Sequence, residues 1–172
     1  MFSFLKNKTI KKEVTDLPDD ARVWIYQSNR QFTKGETQEI ESIGNRFVSS
    51  WEAHGKPLTS MFKVVYNRFI FIGTDENKGV ATGCSIDSSV QLIKSIEKMY
   101  DVDLMDKMLI GFRDLRNDIQ TLPLSEFGAE LNRGKLNGET IVFNNVINSW
   151  GDIKNKWEVP IKNSWHKQLM ES

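Results

Sequence analysis

The sequence has few of the residues that cross-link a fold or interrupt its elements. Among 172 residues there are one cysteine, four prolines and two histidines. A single thiol cannot form an internal disulfide, so the sequence predicts a fold held by its apolar core in a reducing compartment, the cytoplasm. No apolar run approaches the roughly 18–20 residues of a membrane span, and the first residues lack the apolar stretch of a signal peptide. We therefore expect no membrane insertion.

Net charge is also absent, because 23 basic residues balance 23 acidic ones. A neutral chain has no overall field to attract a nucleic-acid backbone or an anionic membrane, so we expect no nucleic-acid partner. Hydrophobic residues make up 39% of the chain, which is typical of a globular protein. Lysines are frequent in residues 1–17, which show no clear periodicity, and this favours a flexible basic arm.

The apolar pattern of residues 21–113 predicts six elements. Thr33 and Glu36 fit a capping box, and the apolar residues that follow recur at helical spacing until about His54 and Gly55. A second helix is predicted after a cap signal that begins at Ser88. Four stretches rich in β-branched and aromatic residues are interpreted as strands, namely residues 21–27, 60–66, 68–73 and 108–112.

The resulting order is β-α-β-β-α-β, which is that of the ferredoxin-like split motif. We therefore expect an α+β protein in which residues 18–113 form an antiparallel sheet with both helices on one face. Asn67 suits the tight turn between the second and third strands. Residues 114–172 are predicted to form a smaller β-α-β appendage packed on this unit, because no Pro/Gly/Ser-rich linker separates the two.

The most distinctive segment is Gly83-Cys84-Ser85-Ile86-Asp87-Ser88-Ser89, which leads from a loop into the second predicted helix. The first turn of a helix has unpaired amides and the positive end of the helix dipole. Gly83, Ser85, Ser88 and Ser89 are therefore candidates for binding a ligand or an anion.

The same segment supports two other interpretations. A thiol at a helix start is activated in general, which makes Cys84 a candidate nucleophile with His54 as base and Asp87 in support. In a purely structural interpretation, Asp87 or Ser88 caps the helix and Cys84 is a small buried apolar residue. His54 also fits a helix C-terminus, and His166 is expected to be solvated near the chain end.

Motifs for nucleotides and metals are missing. Residues 73–79 have neither the spacing nor the Lys-Ser/Thr pair of a phosphate-binding P-loop. The same region lacks the glycine and the glutamate of a calcium loop, and one cysteine with two distant histidines cannot form a zinc site of usual spacing. No cofactor or metal is predicted. Trp150, Trp157 and Trp165 are either core residues of the appendage or an exposed binding face.

Five segments stand out together: Ala21-Arg22-Val23-Trp24-Ile25-Tyr26-Gln27, Trp51-Glu52-Ala53-His54-Gly55, Tyr66-Asn67-Arg68-Phe69, the Gly83–Ser89 string and Phe143-Asn144-Asn145. With them the chain resembles a family of small uncharacterised bacterial proteins whose members often carry the label "ABC transporter ATPase". The resemblance extends over about residues 17–169. That label implies nucleotide hydrolysis.

A second resemblance covers residues 118–144. Residues 122–127, Gly134-Lys135-Leu136 and residues 139–143 are similar to part of a GYF-type adaptor domain. Domains of that type bind peptides, so this resemblance implies a peptide-binding role for the appendage.

Three functions remain open from the sequence. The favoured hypothesis is a non-catalytic cytoplasmic binding or regulatory protein with a protein or small-molecule partner, because no catalytic set is complete. The alternative is a small cysteine-dependent enzyme or redox sensor that uses Cys84. The third is the ATPase that the family label implies, which the absence of a P-loop disfavours.

Overall fold

The structure is a computed structural model that describes residues 17–171. The basic arm predicted for residues 1–17 therefore lies outside the described residues except for Leu17, which is buried. The elements form antiparallel sheets with packed helices, which confirms the α+β class. In chain order they are β1 (Arg22–Gln27), α1 (Lys34–Ser50), β2 (Glu52–Ala53), β3 (Lys56–Pro57), β4 (Ser60–Val65), β5 (Phe69–Thr74), α2 (Gly83–Tyr100), β6 (Leu109–Arg113), β7 (Ile119–Pro123), α3 (Leu124–Asn132), β8 (Ile141–Phe143) and β9 (Glu158–Pro160).

The first sheet has the order β1-β5-β4, with both neighbours antiparallel to the central β5. Every residue of β5 is buried. Side chains alternate across a strand, so Ile70 and Ile72 enter the core under the helices. Phe69 and Phe71 enter a second core on the opposite face. The uninterrupted apolar run of β5 thus reflects a strand covered on both faces.

Helices α1 and α2 cover one face of this sheet. The predicted capping box of α1 is present: the Glu36 amide donates to Thr33 Oγ1 at 3.1 Å, and the Thr33 amide donates to the Glu36 carboxylate at 2.8 Å. The helix ends at Ser50, earlier than expected. His54 and Gly55, at φ of 51° and 75°, instead form the turn of the small β2–β3 hairpin.

The fourth strand corrects the predicted ferredoxin-like topology. β6 does not join β1 but pairs with β7 over five residues, Leu109 to Arg113, through a short connecting turn. Part of the free edge of β1 is already occupied, because the amide of Val23 donates to Asn148 O at 3.0 Å and that of Trp150 donates to Ala21 O at 2.8 Å. Because β7 follows β6 closely along the chain and the edge of β1 is partly occupied, β6 pairs in a different sheet.

The second sheet has the order β7-β6-β8-β9. It includes the strand–helix–strand order predicted for the appendage, with Gly134 at φ 74° just after α3. Trp150 and Trp157 are fully buried between the sheets, which is the core alternative of the prediction, while Trp165 is half-buried. A polar chain joins the two sheets: Trp157 Nε1 donates to Asn145 Oδ1 at 2.9 Å, and Asn145 Nδ2 donates to Gln27 Oε1 at 3.1 Å.

Candidate functional site

The Gly83–Ser89 segment forms the first two turns of α2. The helix begins at Gly83, and its N-cap is Thr82, whose hydroxyl accepts from the Ser85 amide at 3.2 Å. The predicted caps, Asp87 and Ser88, therefore lie inside the helix. The Thr82–Ser85 pair caps the helix five to six residues earlier. The sequence does not single out this pair, because Ser at the third helical position is a less familiar capping partner than Glu or Gln.

Protein contacts occupy the three serine hydroxyls of this segment. Ser85 is buried and donates to Glu52 O at 2.8 Å, while Trp51 Nε1 donates to Ser85 O at 2.8 Å. Ser88 and Ser89 donate to helix carbonyls at 2.7 and 2.6 Å. The bonds of Ser85 attach the start of α2 to the segment just after α1, and those of Ser88 and Ser89 stay within α2, so the serines serve the fold.

Cys84 and Asp87 are exposed on the helix surface, as is Gly83. Cys84 is thus not the buried apolar residue of the structural interpretation. His54 is exposed on the β2–β3 turn. Within residues 17–171, no hydrogen bond or ion pair joins Cys84, His54 and Asp87 to one another, so the structure does not assemble them into a hydrogen-bonded catalytic set.

His166 corrects the expectation of a solvated histidine, because only 1% of its surface is exposed. Its Nδ1 shares a 2.7 Å hydrogen bond with Ser164 Oγ, and its ring stacks on Trp165 at 4.0 Å. Burial lowers its pKa from 6.5 to about 4. A neutral imidazole inside the core is a structural residue whose protonation destabilises the fold.

A polar cleft of about 620 Å³ lies between the turn of the β4–β5 hairpin and the β6–β7 loop. Its volume falls in the range of small-molecule sites, roughly 300–1,000 Å³. Most of its lining is polar. The lining residues are Gln31, Tyr66, Asn67, Arg68, Arg113, Asn117, Asp118, Ile119 and Gln120.

The hairpin turn that enters the cleft is made by Tyr66 and Asn67, at φ of 55° and 52°. Two consecutive left-handed residues define a type I′ turn, which suits the strand twist and favours Asn-Gly. Asparagine fits, as predicted, but tyrosine adopts this conformation at a cost. The cost is offset by contacts of its side chain: the Tyr66 hydroxyl donates to Glu158 at 2.7 Å, and its ring stacks on Trp157 at 5.8 Å.

Arg113 forms a buried ion pair beside this tyrosine. Its side chain is 3% exposed; Nε donates to Glu158, and Nη1 donates to Asn117 O at 2.9 Å. Its Nη2 is buried and has no hydrogen-bond partner among the described residues. The guanidinium lies over the Tyr66 ring, 4.9 Å from its centroid. Burial, together with the adjacent Glu158 carboxylate, raises the Tyr66 pKa, so the phenol stays protonated as a hydrogen-bond donor.

Arg68 is the second guanidinium of the cleft, and it has no counter-charge among the described residues. The residue is 9% exposed. Four donors are occupied, by Ser28 O, Asn29 O and Ile119 O and by Thr121 Oγ1, at 3.0 to 3.2 Å. Among residues 17–171 no carboxylate lies within ion-pair distance of it. Desolvation lowers its pKa from 12.5, yet arginine stays charged in proteins.

A second cavity, of about 460 Å³, lies between α3 and the second sheet. Its floor is apolar, with Phe112, Leu122 and Leu136. Two of its charged lining residues, Glu130 and Arg133, pair with each other at 2.6 Å. The cleft at Arg68 differs because it holds a buried charge for which the described part of the chain supplies no counter-charge, and it is the candidate site for that reason.

Arg68 and Arg113 line the cleft but are not among the site residues predicted from the sequence. The local signal for Arg68 is its position directly before the apolar run of β5, every residue of which is buried. The other lining residues could not be grouped from the sequence, because Gln31, Tyr66 and Gln120 belong to three segments that are far apart along the chain.

Residues 17–171 hold no group of three or more His, Cys, Asp or Glu side chains placed to bind a metal ion. None of the described helices is both long and apolar enough to span a bilayer. Comparison with other proteins gives no match to a family model, a curated protein or a solved structure.

Proposed function

We propose that the protein is a non-catalytic cytoplasmic binding or regulatory protein that holds a small polar ligand in the cleft at Arg68. The observation that carries the proposal is a buried guanidinium that has no counter-charge within residues 17–171 and lies in a cavity of ligand size. Buried charges in proteins are normally paired, since taking an ion out of water is costly. An unpaired charge kept at the wall of a cleft is typical of a binding site.

The chemistry of the lining favours binding over catalysis. Beside the apolar Ile119 it offers guanidinium, amide and phenol groups and one carboxylate, and the Tyr66 hydroxyl already donates a hydrogen bond to Glu158. Nucleophilic catalysis needs a nucleophile hydrogen-bonded to a base. Among the residues of this lining we find no such pair. The cytoplasm is proposed from the single cysteine of the chain.

A ligand screen by NMR tests the proposal. Isotope-labelled protein is titrated with mixtures of neutral, cationic and anionic metabolite-sized compounds, with ATP included. We expect saturable shifts of backbone amides in residues 66–68 and 117–120. Gln31→Trp places a bulky ring at the exposed rim of the cleft and should abolish them, whereas Gln91→Trp, on an exposed face of α2, should not. If no compound shifts these amides, or if both variants behave alike, the proposed site is wrong.

The second candidate is a cysteine-dependent enzyme or redox sensor. Exposure of Cys84 at the second residue of α2 supports it. The test compares the alkylation rate of Cys84 in the native and urea-unfolded protein from pH 5 to pH 9. An activated thiol reacts faster in the native state at acidic and neutral pH. Identical pH profiles in the two states would remove this candidate.

A further inference from the structure

On the basis of the proposed function, we infer that the ligand of the cleft carries an oxyanion, a carboxylate or a phosphate group, that binds against Arg68. The inference concerns the chemistry of the ligand, which the proposed site leaves open. It rests on the charges in the cleft and on the donors that remain unoccupied there.

The charge balance of the cleft is positive at its buried end. Arg113 is neutralised by Glu158, but within residues 17–171 Arg68 bonds only to three carbonyl oxygens and a hydroxyl. These dipoles solvate the guanidinium without cancelling its charge. The one acid of the lining, Asp118, is exposed and lies beyond ion-pair distance of Arg68. An anion at the buried end therefore gains an attraction that a neutral or cationic ligand does not.

Unoccupied donors near this charge match an oxyanion. A guanidinium has five N–H groups, and the four bonds of Arg68 leave one Nη1 hydrogen without a protein partner among the described residues. Asn67 accepts from Thr37 at 3.1 Å through Oδ1, which leaves its Nδ2 group available. Exposed Gln31 adds an amide at the rim. A carboxylate or phosphate oxygen accepts from all of these groups, and charge-assisted bonds of this kind are the strong ones.

The nearby acids do not compete for the site. Asp114 accepts from Gln120 Nε2 at 3.0 Å and from the amides of Arg116 and Asp118. Glu158 is held by Arg113 and Tyr66. Both carboxylates are thereby fixed in place, and Arg68 remains the cation whose partner is missing among residues 17–171.

The experiment is an NMR titration at constant ionic strength with four probes: inorganic phosphate, acetate, acetamide as the neutral analogue of acetate, and chloride as the reference. We expect saturable shifts of the amides of Asn67, Arg68 and Gln120 with phosphate or acetate. Whichever of phosphate and acetate binds more tightly identifies the ligand group as a phosphate or a carboxylate. Acetamide should bind at least tenfold more weakly than acetate, because it lacks the charge.

Substitutions at the exposed rim change the charge of the cleft and leave its buried contacts intact. Gln31→Glu adds a negative charge and should weaken binding of the oxyanion about three- to tenfold, a factor expected for one charge several ångströms away in a partly solvated site. Asp118→Asn removes a negative charge and should tighten binding by a similar factor. Gln91→Glu is the matched control outside the cleft and should change nothing. Arg68→Met should abolish binding, with its folding verified from the dispersion of the spectrum.

The outcomes separate the two proposals. If acetamide shifts the cleft amides as strongly as acetate, or if Gln31→Glu and Asp118→Asn have no effect, the oxyanion inference is wrong and the cleft remains a binding site. The oxyanion inference is also wrong, and the cleft is still a binding site, if only neutral or cationic compounds of the ligand screen bind there. If no probe and no screened compound shifts the cleft amides, both proposals fail.

Discussion

Acidification should destabilise the protein through His166. The native imidazole is buried beside Phe127 and Trp165, and its pKa is lowered to about 4, whereas an unfolded histidine titrates at 6.5. Between these two values the unfolded chain holds one proton more than the native protein. The free energy of unfolding therefore falls as the pH decreases from 6.5 to 4.

The size of the effect follows from the same two values. Each tenfold difference in proton affinity is worth about 1.4 kcal/mol. The difference between 6.5 and about 4 thus amounts to about 3 kcal/mol, a contribution that is fully present above pH 6.5 and is lost at pH 4. Solvent screening requires little discount here, because His166 is 1% exposed. Within the window the slope should approach 1.4 kcal/mol per pH unit.

The assay is urea unfolding at half-unit steps from pH 7.5 to pH 4 for the wild type and for His166→Asn. Asparagine does not titrate, and its Oδ1 can accept from Ser164, so the variant should lose part of the pH dependence although the smaller side chain lowers its stability at pH 7. Carboxylates such as Glu36, whose pKa the hydrogen bond with Arg30 lowers to about 2, contribute equally to both proteins. The difference between the two profiles isolates the imidazole.

The result that would refute this reasoning is a pair of parallel profiles between pH 6.5 and pH 4. The matched control is His54→Asn, which removes an exposed imidazole and should retain the wild-type slope.

Two further predictions concern a buried ion pair within the second sheet and a close contact between the two sheets. Glu158→Gln removes the counter-charge of the buried Arg113 guanidinium and should lower the free energy of unfolding by about 3 kcal/mol. The control Glu130→Gln breaks a more exposed ion pair and should lower it by less than about 1 kcal/mol. Equal losses of the two variants in urea unfolding would contradict the argument. Gly111→Ala places a methyl group 2.2 Å from Gln27 Oε1 and should cost about 2 kcal/mol. The control Gly128→Ala, in an open helical position, should stabilise the protein by about 0.5–1 kcal/mol. A Gly111→Ala protein as stable as the wild type would show that Gly111 does not lie close to Gln27.

Several elements could be predicted from the sequence because their causes are local. The capping box at Thr33 and Glu36 needs only four consecutive residues, and the turn at Asn67 needs only a residue that tolerates left-handed angles. The apolar run of β5 predicted a strand for the same reason, and its burial on both faces is a finding of the structure. The structure starts α2 earlier than the sequence predicts, since two capping signals begin six residues apart, at Thr82 and Ser88, and the structure uses the one at Thr82.

The candidate site was much harder to predict. The prediction concentrated on Cys84 and its neighbours, because a thiol and several hydroxyls at a helix start are conspicuous in a sequence. In the structure the serine hydroxyls are occupied by carbonyls and the thiol is exposed. Whether a hydroxyl is available depends on what packs against it, and that information is not local.

The sequence by itself determined the α+β class, the helix and strand periodicities and the absence of an internal disulfide, since these depend on composition and on short-range pattern. Tertiary structure alone decided that β6 joins the second sheet, because this depends on which edges other segments already occupy. It also decided that Arg68 is buried without a counter-charge among residues 17–171. A salt bridge needs a carboxylate within 4 Å, and chain positions that meet there, such as Asn29 and Thr121, are 92 residues apart.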